Sequence, residues 1–161
     1  MGFVNLSECR VRKMSDVERG FIAGIIEGDG SISLDTKNRK GKLVIIPNIR
    51  IHNTSLPILE QSKQFIGRGW IYEAKTVQKP SGGITHKKPM KRYCLENLSD
   101  VKFVLEQILD LLTSYKKELA EIVLEYCNLR IISLQKTKKA NLSPYGEKEF
   151  NLIKRYKEVK R

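Results

Sequence analysis

The stretch FIAGIIEGDG, residues 21–30, constrains this chain more than any other. Its apolar residues fall at helical spacing, yet Gly20, Gly24 and Gly28 recur at every fourth position along one side. Glycine in a helix interior costs about 1 kcal/mol relative to alanine, so the three together cost roughly 3 kcal/mol. A stripe without side chains lets another backbone approach closely. Phe21, Ile22, Ile25 and Ile26 make the remaining sides apolar, and a helix that is apolar all round is buried on more than one side. Spacing alone admits two readings: a core helix whose glycines fit against a strand, or a helix that packs on a second helix. The run ends in two acids, Glu27 and Asp29. A helix C-terminus carries about half a negative charge, so carboxylates there are doubly disfavoured unless a cation lies beside them. A divalent metal meets that need. Hard ions such as Mg²⁺ take oxygen ligands: carboxylates, phosphate oxygens and water.

The flanking sequence places this helix in a larger pattern. Ser15-Asp16-Val17-Glu18 has the S-x-x-E form of a capping box and predicts a helix from about Asp16 to Glu27 or Gly28. SISLDTK, residues 31–37, alternates, with Ile32 and Leu34 opposed to Ser31, Ser33, Asp35 and Lys37. NRKGK, residues 38–42, supplies a turn, and KLVIIPNIRIHN returns with Ile49 and Ile51 opposed to Asn48, Arg50 and His52. LPILEQSKQFIG, residues 56–67, reads as a helix stopped by Gly67. RGWIYEAKTV reads as a third strand, KPSGGITHKKP as a loop and MKRYCLENL as a fourth strand closing a second hairpin. Ser99 is the expected cap of a helix over DVKFVLEQILDLL, and Ser114 of one over YKKELAEIVLEYCNLRII. Ser143-Pro144 opens a last basic helix toward Arg161. The αββ unit thus occurs twice as topology, without a sequence repeat of 20 to 50 residues.

Length and an apolar fraction of 40% fit one globular domain. Thirty Lys and Arg against eighteen Asp and Glu give a net charge of +12. A charge this large points to a polyanionic partner, nucleic acid ahead of an acidic membrane surface, with solubility alone as the bland alternative. No apolar run approaches the roughly 20 residues that cross a bilayer, and MGFVNLSECRVRKM lacks a signal-peptide core. Met1-Gly2 is not followed by the hydroxyl residue of a myristoylation start, since Leu6 stands there. Cys9, Cys94 and Cys127 form no CxxC pair, so neither a disulfide framework nor a structural zinc site is expected. The expectation is a cytoplasmic or organellar protein in a reducing compartment.

Residues Ile22-Ala23-Gly24-Ile25-Ile26-Glu27-Gly28-Asp29-Gly30 closely resemble the nine-residue signature of the LAGLIDADG homing endonucleases. Isoleucines replace the leucines, Glu27 the first Asp and Gly28 the second Ala. The likeness covers roughly residues 15–130 and extends to the C-terminal helices. It implies an α+β, αββαββα fold with additional C-terminal helices and a four-stranded antiparallel saddle in each subunit. The chain is then one domain over 1–161, with an N-terminal extension at 1–14, a core at 15–134, and a basic loop and C-terminal helix at 135–161. One motif per chain implies a homodimer, with Gly20, Phe21, Gly24, Ile25 and Gly28 at its interface and a long pseudo-palindromic DNA site. The implied activity is metal-dependent hydrolysis of double-stranded DNA across the minor groove, leaving 3′ overhangs.

The same resemblance implies individual roles. Asp29 matches the metal-binding acid, and Gly28 a position that offers its carbonyl to the metal. Mg²⁺ is the expected ion, with Mn²⁺ or Ca²⁺ able to occupy the same sites. Glu27 reads as structural. Lys116 aligns with a basic residue facing the active-site water pocket, against the plain alternative of a solvated helix start. The polar residue ending the second strand falls on His52, Asn53 or Ser55, with Asn53 favoured. The TSLP that follows departs from relatives carrying an arginine there.

The wet strand faces present the donors and acceptors that major-groove edges require. Ser31, Ser33, Asp35, Lys37, Arg39, Asn48, Arg50 and His52 come from the first hairpin, and Trp70, Tyr72, Lys75, Arg92 and Cys94 from the second. Lys79, Lys87, Lys88, Lys136, Lys138 and Lys139 are expected at phosphates. Each is also explicable as a solvated residue. Two rival functions use the same scaffold: an intron RNA maturase, and a DNA-binding descendant without catalysis, against which the presence of Asp29 counts.

Overall fold

Ser15 opens the first helix, α1 (Asp16–Asp29), as a full capping box. Its Oγ accepts from the Glu18 N–H at 3.3 Å, and Glu18 Oε2 accepts from the Ser15 N–H at 2.8 Å. The computed structural model describes residues 11–74, 89–137 and 145–161. Lys75, Lys79, Lys87, Lys88, Lys138, Lys139 and Cys9 lie outside that set. α1 passes at Gly30 directly into β1 (Gly30–Arg39). A Cβ on Gly30 would stand 2.6 Å from Ile26 Cα, so only glycine lets the chain reverse this tightly against its own helix.

β1 is longer than the strictly alternating segment, because the hairpin closes on only two residues. Lys40 and Gly41 have φ of 52° and 77°, the type I′ pattern that suits right-handed strand twist. β2 (Lys42–Asn53) returns with Arg39 opposite Lys42 and Gly30 opposite Ile51. α2 (Leu56–Ile66) ends at Gly67 as its sequence predicts. β3 (Trp70–Glu73) and β4 (Lys91–Leu95) pair antiparallel, and β4 lies beside β2. The sheet order is β1-β2-β4-β3.

Three helices follow. α3 (Leu98–Ile108) is capped by Asn97 rather than by Ser99. Asn97 Oδ1 accepts from the N–H groups of Ser99 and Asp100 at 3.0 and 3.3 Å, so Ser99 is itself within the capped turn. α4 (Tyr115–Thr137) starts at the expected Ser114, whose Oγ accepts from the Lys116 N–H at 3.2 Å. It continues through Lys136, placing that residue in a helix instead of the basic loop expected from 135. α5 (Glu147–Val159) begins later than Ser143-Pro144, which lie outside the described residues; Gly146 stands at its N-cap.

The helices cover one face of the sheet. Ile32, Leu34, Ile49, Ile51, Tyr93 and Leu95 meet Ile22, Ile26, Val101, Leu105, Ile122 and Val123 in a continuous apolar core. α5 adds Leu152, Ile153 and Tyr156 to it. Val11 and Met14, from the segment read as an extension, are buried there too. The Arg12 N–H donates to the Ile66 carbonyl at 2.9 Å, and the Met14 N–H donates to Gln107 Oε1 at 2.7 Å. The first packed unit therefore starts at least as early as Val11. Both backbone groups of Ile45 are satisfied by tyrosines: its N–H donates to Tyr145 Oη at 2.9 Å, and its carbonyl accepts from Tyr126 at 3.1 Å. Those bonds pin α4 and the approach to α5 onto β2.

Candidate functional site

Asp29 is the last residue of α1, and it is exposed. β2 outruns the start of β1 by two residues, because Gly30 pairs with Ile51. That overhang brings Asn53 to Asp29, where its Nδ2–H donates to Asp29 Oδ2 at 2.8 Å. Asn53 Oδ1 in turn accepts from the Ser55 N–H at 2.8 Å, fixing which way the carboxamide faces. Of the three candidate polar residues at this strand end, Asn53 is the one bonded to Asp29.

The two residues flanking the α1–α4 junction do something the spacing does not reveal. Glu27 Oε1 accepts from the backbone N–H groups of Thr113 and Ser114 at 2.8 and 3.2 Å, capping the entry to α4. Lys116 Nζ donates to the carbonyls of Ile26 and Glu27 at 2.7 and 2.8 Å, capping the exit of α1. Lys116 is only 8% exposed. Its ammonium is thus committed to the end of α1, beside the residues that lead to Asp29. A cation at the first turn of α4 is disfavoured by that helix, but the negative end of α1 receives it. Burial alone raises the Glu27 pKa, yet hydrogen bonds from Ser114 and Thr113 and the charge of Lys116 outweigh it and hold the carboxyl below its ordinary range.

Val17, Gly20, Gly24 and Gly28 line the side of α1 that faces away from its own core. Val17 is 81% exposed, and a Cβ at any of the three glycines would meet no atom within 4 Å. Phe21 and Ile25, expected on the same interface, are half-buried against this chain's own core, Phe21 with its ring edge-on to Phe65 at 5.4 Å. Val17 continues the stripe one turn back and was legible from spacing, but it lies before the motif.

The sheet's other face is the one the alternation predicts. Cross-strand rows place Ser31 beside Arg50, Cys94 and Trp70, and His52 beside Arg92 and Tyr72. Lys37 and Arg39 are exposed toward the hairpin tip. Three of the expected reading residues are covered in the DNA-free chain: Ser33 (4% exposed), Asn48 (0%) and Cys94 (1%) lie on this face but beneath its surface. Arg50 is the reason for part of this, since it lies flat across the sheet. Its Nη2 donates to Asp35 Oδ2 at 2.7 Å and stands 3.5 Å from Glu96 Oε1. Burial is the largest single influence and lowers the Arg50 pKa, but Asp35 and Cys94 together outweigh it and raise the value, so the guanidinium stays charged. Burial pushes the Cys94 thiol up to about 11, leaving it neutral below Arg50. Burial, then Arg92 and Arg50, push His52 below its ordinary value, so its imidazole is neutral at pH 7. Glu96 escaped the sequence reading; extending the Arg92, Cys94 alternation by one step finds it.

A cleft of about 370 Å³ at the sheet end shares Trp70 and Glu96 with this face but excludes Asp29. Among the described residues no three His, Cys, Asp or Glu side chains gather as a metal-binding group. No helix among them is long and apolar enough to cross a membrane.

Residues 16–86 match the model of the LAGLIDADG-like domain. That segment, which carries the motif helix, is similar to the LAGLIDADG-like domain. No curated protein sequence matches it. Among solved structures, the homing endonuclease I-CvuI in complex with a DNA target superposes with a TM-score of 0.59 at 18% identity, over 90% of this chain and 96% of that one. I-CeuI, a group I intron-encoded homing endonuclease complexed with DNA, gives 0.66 at 14% identity over 90% and 68%. I-SmaMI, bound to an uncleaved DNA target in the presence of calcium ions, gives 0.65 at 16% identity over 91% of this chain and 46% of its own. This chain thus has the homing endonuclease fold, and the helix that carries the motif ends at Asp29.

Proposed function

We propose that this LAGLIDADG protein is a site-specific DNA endonuclease that acts as a homodimer on a long, pseudo-palindromic duplex. One observation carries the reading: the glycine stripe of α1 is open along its length, and the exposed carboxylate of Asp29 stands at its end. A second copy packed on that stripe by two-fold symmetry brings a second Asp29 toward the first. The nearly full-length match to I-CvuI and the half-length match to I-SmaMI support a chain of this size as one of two equivalent units.

The donor set at the helix end fits a hard divalent cation. Asn53 engages Asp29 Oδ2 and leaves Oδ1 for a ligand, and Gly28 adds a backbone carbonyl, all of them oxygen donors. Related DNA complexes were formed with Mg²⁺ or Ca²⁺. When bound, Mg²⁺ neutralises charge at the scissile phosphate and makes an attacking water acidic. The chain's own residues do the positioning. Asn53 fixes the Asp29 rotamer, Lys116 and Glu27 fix the end of the helix that carries it, and the basic concave sheet holds the duplex by its grooves and phosphates. Cleavage falls across the minor groove between subunits and leaves 3′ overhangs.

A cleavage selection tests this reading. The protein is incubated with a randomised duplex library and Mg²⁺, and the new ends are sequenced. A near-palindromic site cut with staggered 3′ ends is the expected result. Selective retention of duplex without cutting under active metal conditions overturns the nuclease reading, and retention of folded RNA alone assigns the scaffold to RNA.

A further inference from the structure

We propose that Arg50 is a base-reading side chain held in reserve, folded down over Ser33 and Asn48 by Asp35 and Glu96, and that the pair it reads is G·C. The inference rests on the DNA reading above and deepens it.

The register supplies the geometry. Ser31 pairs with Arg50, Ser33 with Asn48 and Asp35 with Ile46, all on the face away from the helices. Arg50 and Asp35 are therefore two rows apart, about 13 Å along the strands. A 2.7 Å contact between them requires the arginine stem to cross the Ser33–Asn48 row. Both residues of that row are buried, Asn48 completely. Asn48 Oδ1 has no hydrogen-bond partner beneath that cover, and neither has Arg50 Nε. The arrangement leaves polar groups unsatisfied that a groove edge would satisfy.

The acids then make chemical sense. A carboxylate facing a phosphate-rich ligand opposes binding, so two of them at the centre of the DNA face of a +12 protein need a matching donor. While no DNA is bound, Arg50 is that donor. A G·C pair replaces it on both sides: guanine N7 and O6 accept the fork of Arg50, and the cytosine N4 amino group donates to the carboxylate that Arg50 leaves. An A·T pair offers thymine O4 and a methyl group where the carboxylate needs a proton, and it returns the arginine to Asp35.

Binding selections on full-length protein in Ca²⁺, with a randomised duplex library, test this. The wild-type site should contain a symmetry-related couple of G·C pairs, and Arg50→Ala should lose preference at those two positions only, with discrimination there falling between about 5-fold and 150-fold. Asp35→Asn, which keeps the shape of the site, should raise affinity for random duplex while keeping the guanine preference. Two results overturn the proposal while leaving the DNA reading intact. In one, Arg50→Ala weakens all duplexes equally and lowers the salt slope by about one, the signature of a phosphate contact. In the other, it binds with an unchanged site. A wild-type protein that selects no duplex sequence overturns both readings at once.

Discussion

Glu27 and Lys116 each cap the helix that carries the other. The Glu27 carboxylate closes the N-terminus of α4 through Thr113 and Ser114, and the Lys116 ammonium closes the C-terminus of α1 through Ile26 and Glu27. Each charge sits at the helix pole that favours it, so the two ends are locked together by four hydrogen bonds two residues from Asp29.

Breaking the glutamate half should destabilise the fold modestly. Glu27→Ala leaves two backbone donors without their acceptor and is expected to cost about 1–2 kcal/mol in urea unfolding, with Glu27→Gln costing less. The folded pKa of Glu27 lies below its ordinary 4.5, so its contribution is present above that value and is lost as pH falls through the folded value. Wild-type stability should therefore drop faster than that of Glu27→Gln on acidification below 4.5. Parallel pH profiles for the two proteins would contradict the capping role.

Removing the lysine half should act on both stability and rate. Lys116→Met keeps the buried stem but frees two carbonyls at the end of α1, with an expected loss of about 1–3 kcal/mol. Cleavage should slow while the selected site stays the same, because Lys116 is bonded to the end of α1 and is not on the strand face that carries Arg50 and Asp35. A changed site preference would count against this placement.

Asp29→Asn should abolish strand cleavage and leave specific binding nearly intact, measured by gel shift and product sequencing on the same duplex. Asn53→Ala should retain binding and slow cleavage, since it removes the bond that orients Asp29 but not the carboxylate itself. A folded Asp29→Asn dimer that no longer binds would contradict the assigned role.

The open stripe makes opposite predictions for one chain and for two. A Cβ at Gly24 meets no atom within 4 Å, and alanine favours a helix by about 1 kcal/mol over glycine. Gly24→Leu should therefore leave the subunit folded by circular dichroism while converting the proposed homodimer to monomers in sedimentation equilibrium. A Gly24→Leu protein that remains dimeric would place the interface elsewhere.

The order of elements, the capping box at Ser15, the stop at Gly67 and the assignment of strand faces all follow from local rules, and one chain suffices to read them. Alternation sets which way Arg50 and Asp35 point, and the motif spacing sets which side of α1 carries no side chains. Where a side chain ends up once it points there is decided by partners far along the chain. Ser33, Asn48 and Cys94 face the predicted side but are covered, in part because Arg50 reaches Asp35 across the Ser33–Asn48 row. Lys116 looks like a solvated or catalytic lysine until α4 is packed against α1, 89 residues away in sequence, where two helix-end carbonyls need a donor. Asn53 finds Asp29 only because the hairpin register leaves β2 two residues longer than β1 at that end. Periodicity fixes direction, which is a property of the backbone; occupancy and pairing depend on which charges and buried polar groups the tertiary fold brings together, and these long-range contacts leave no local signature.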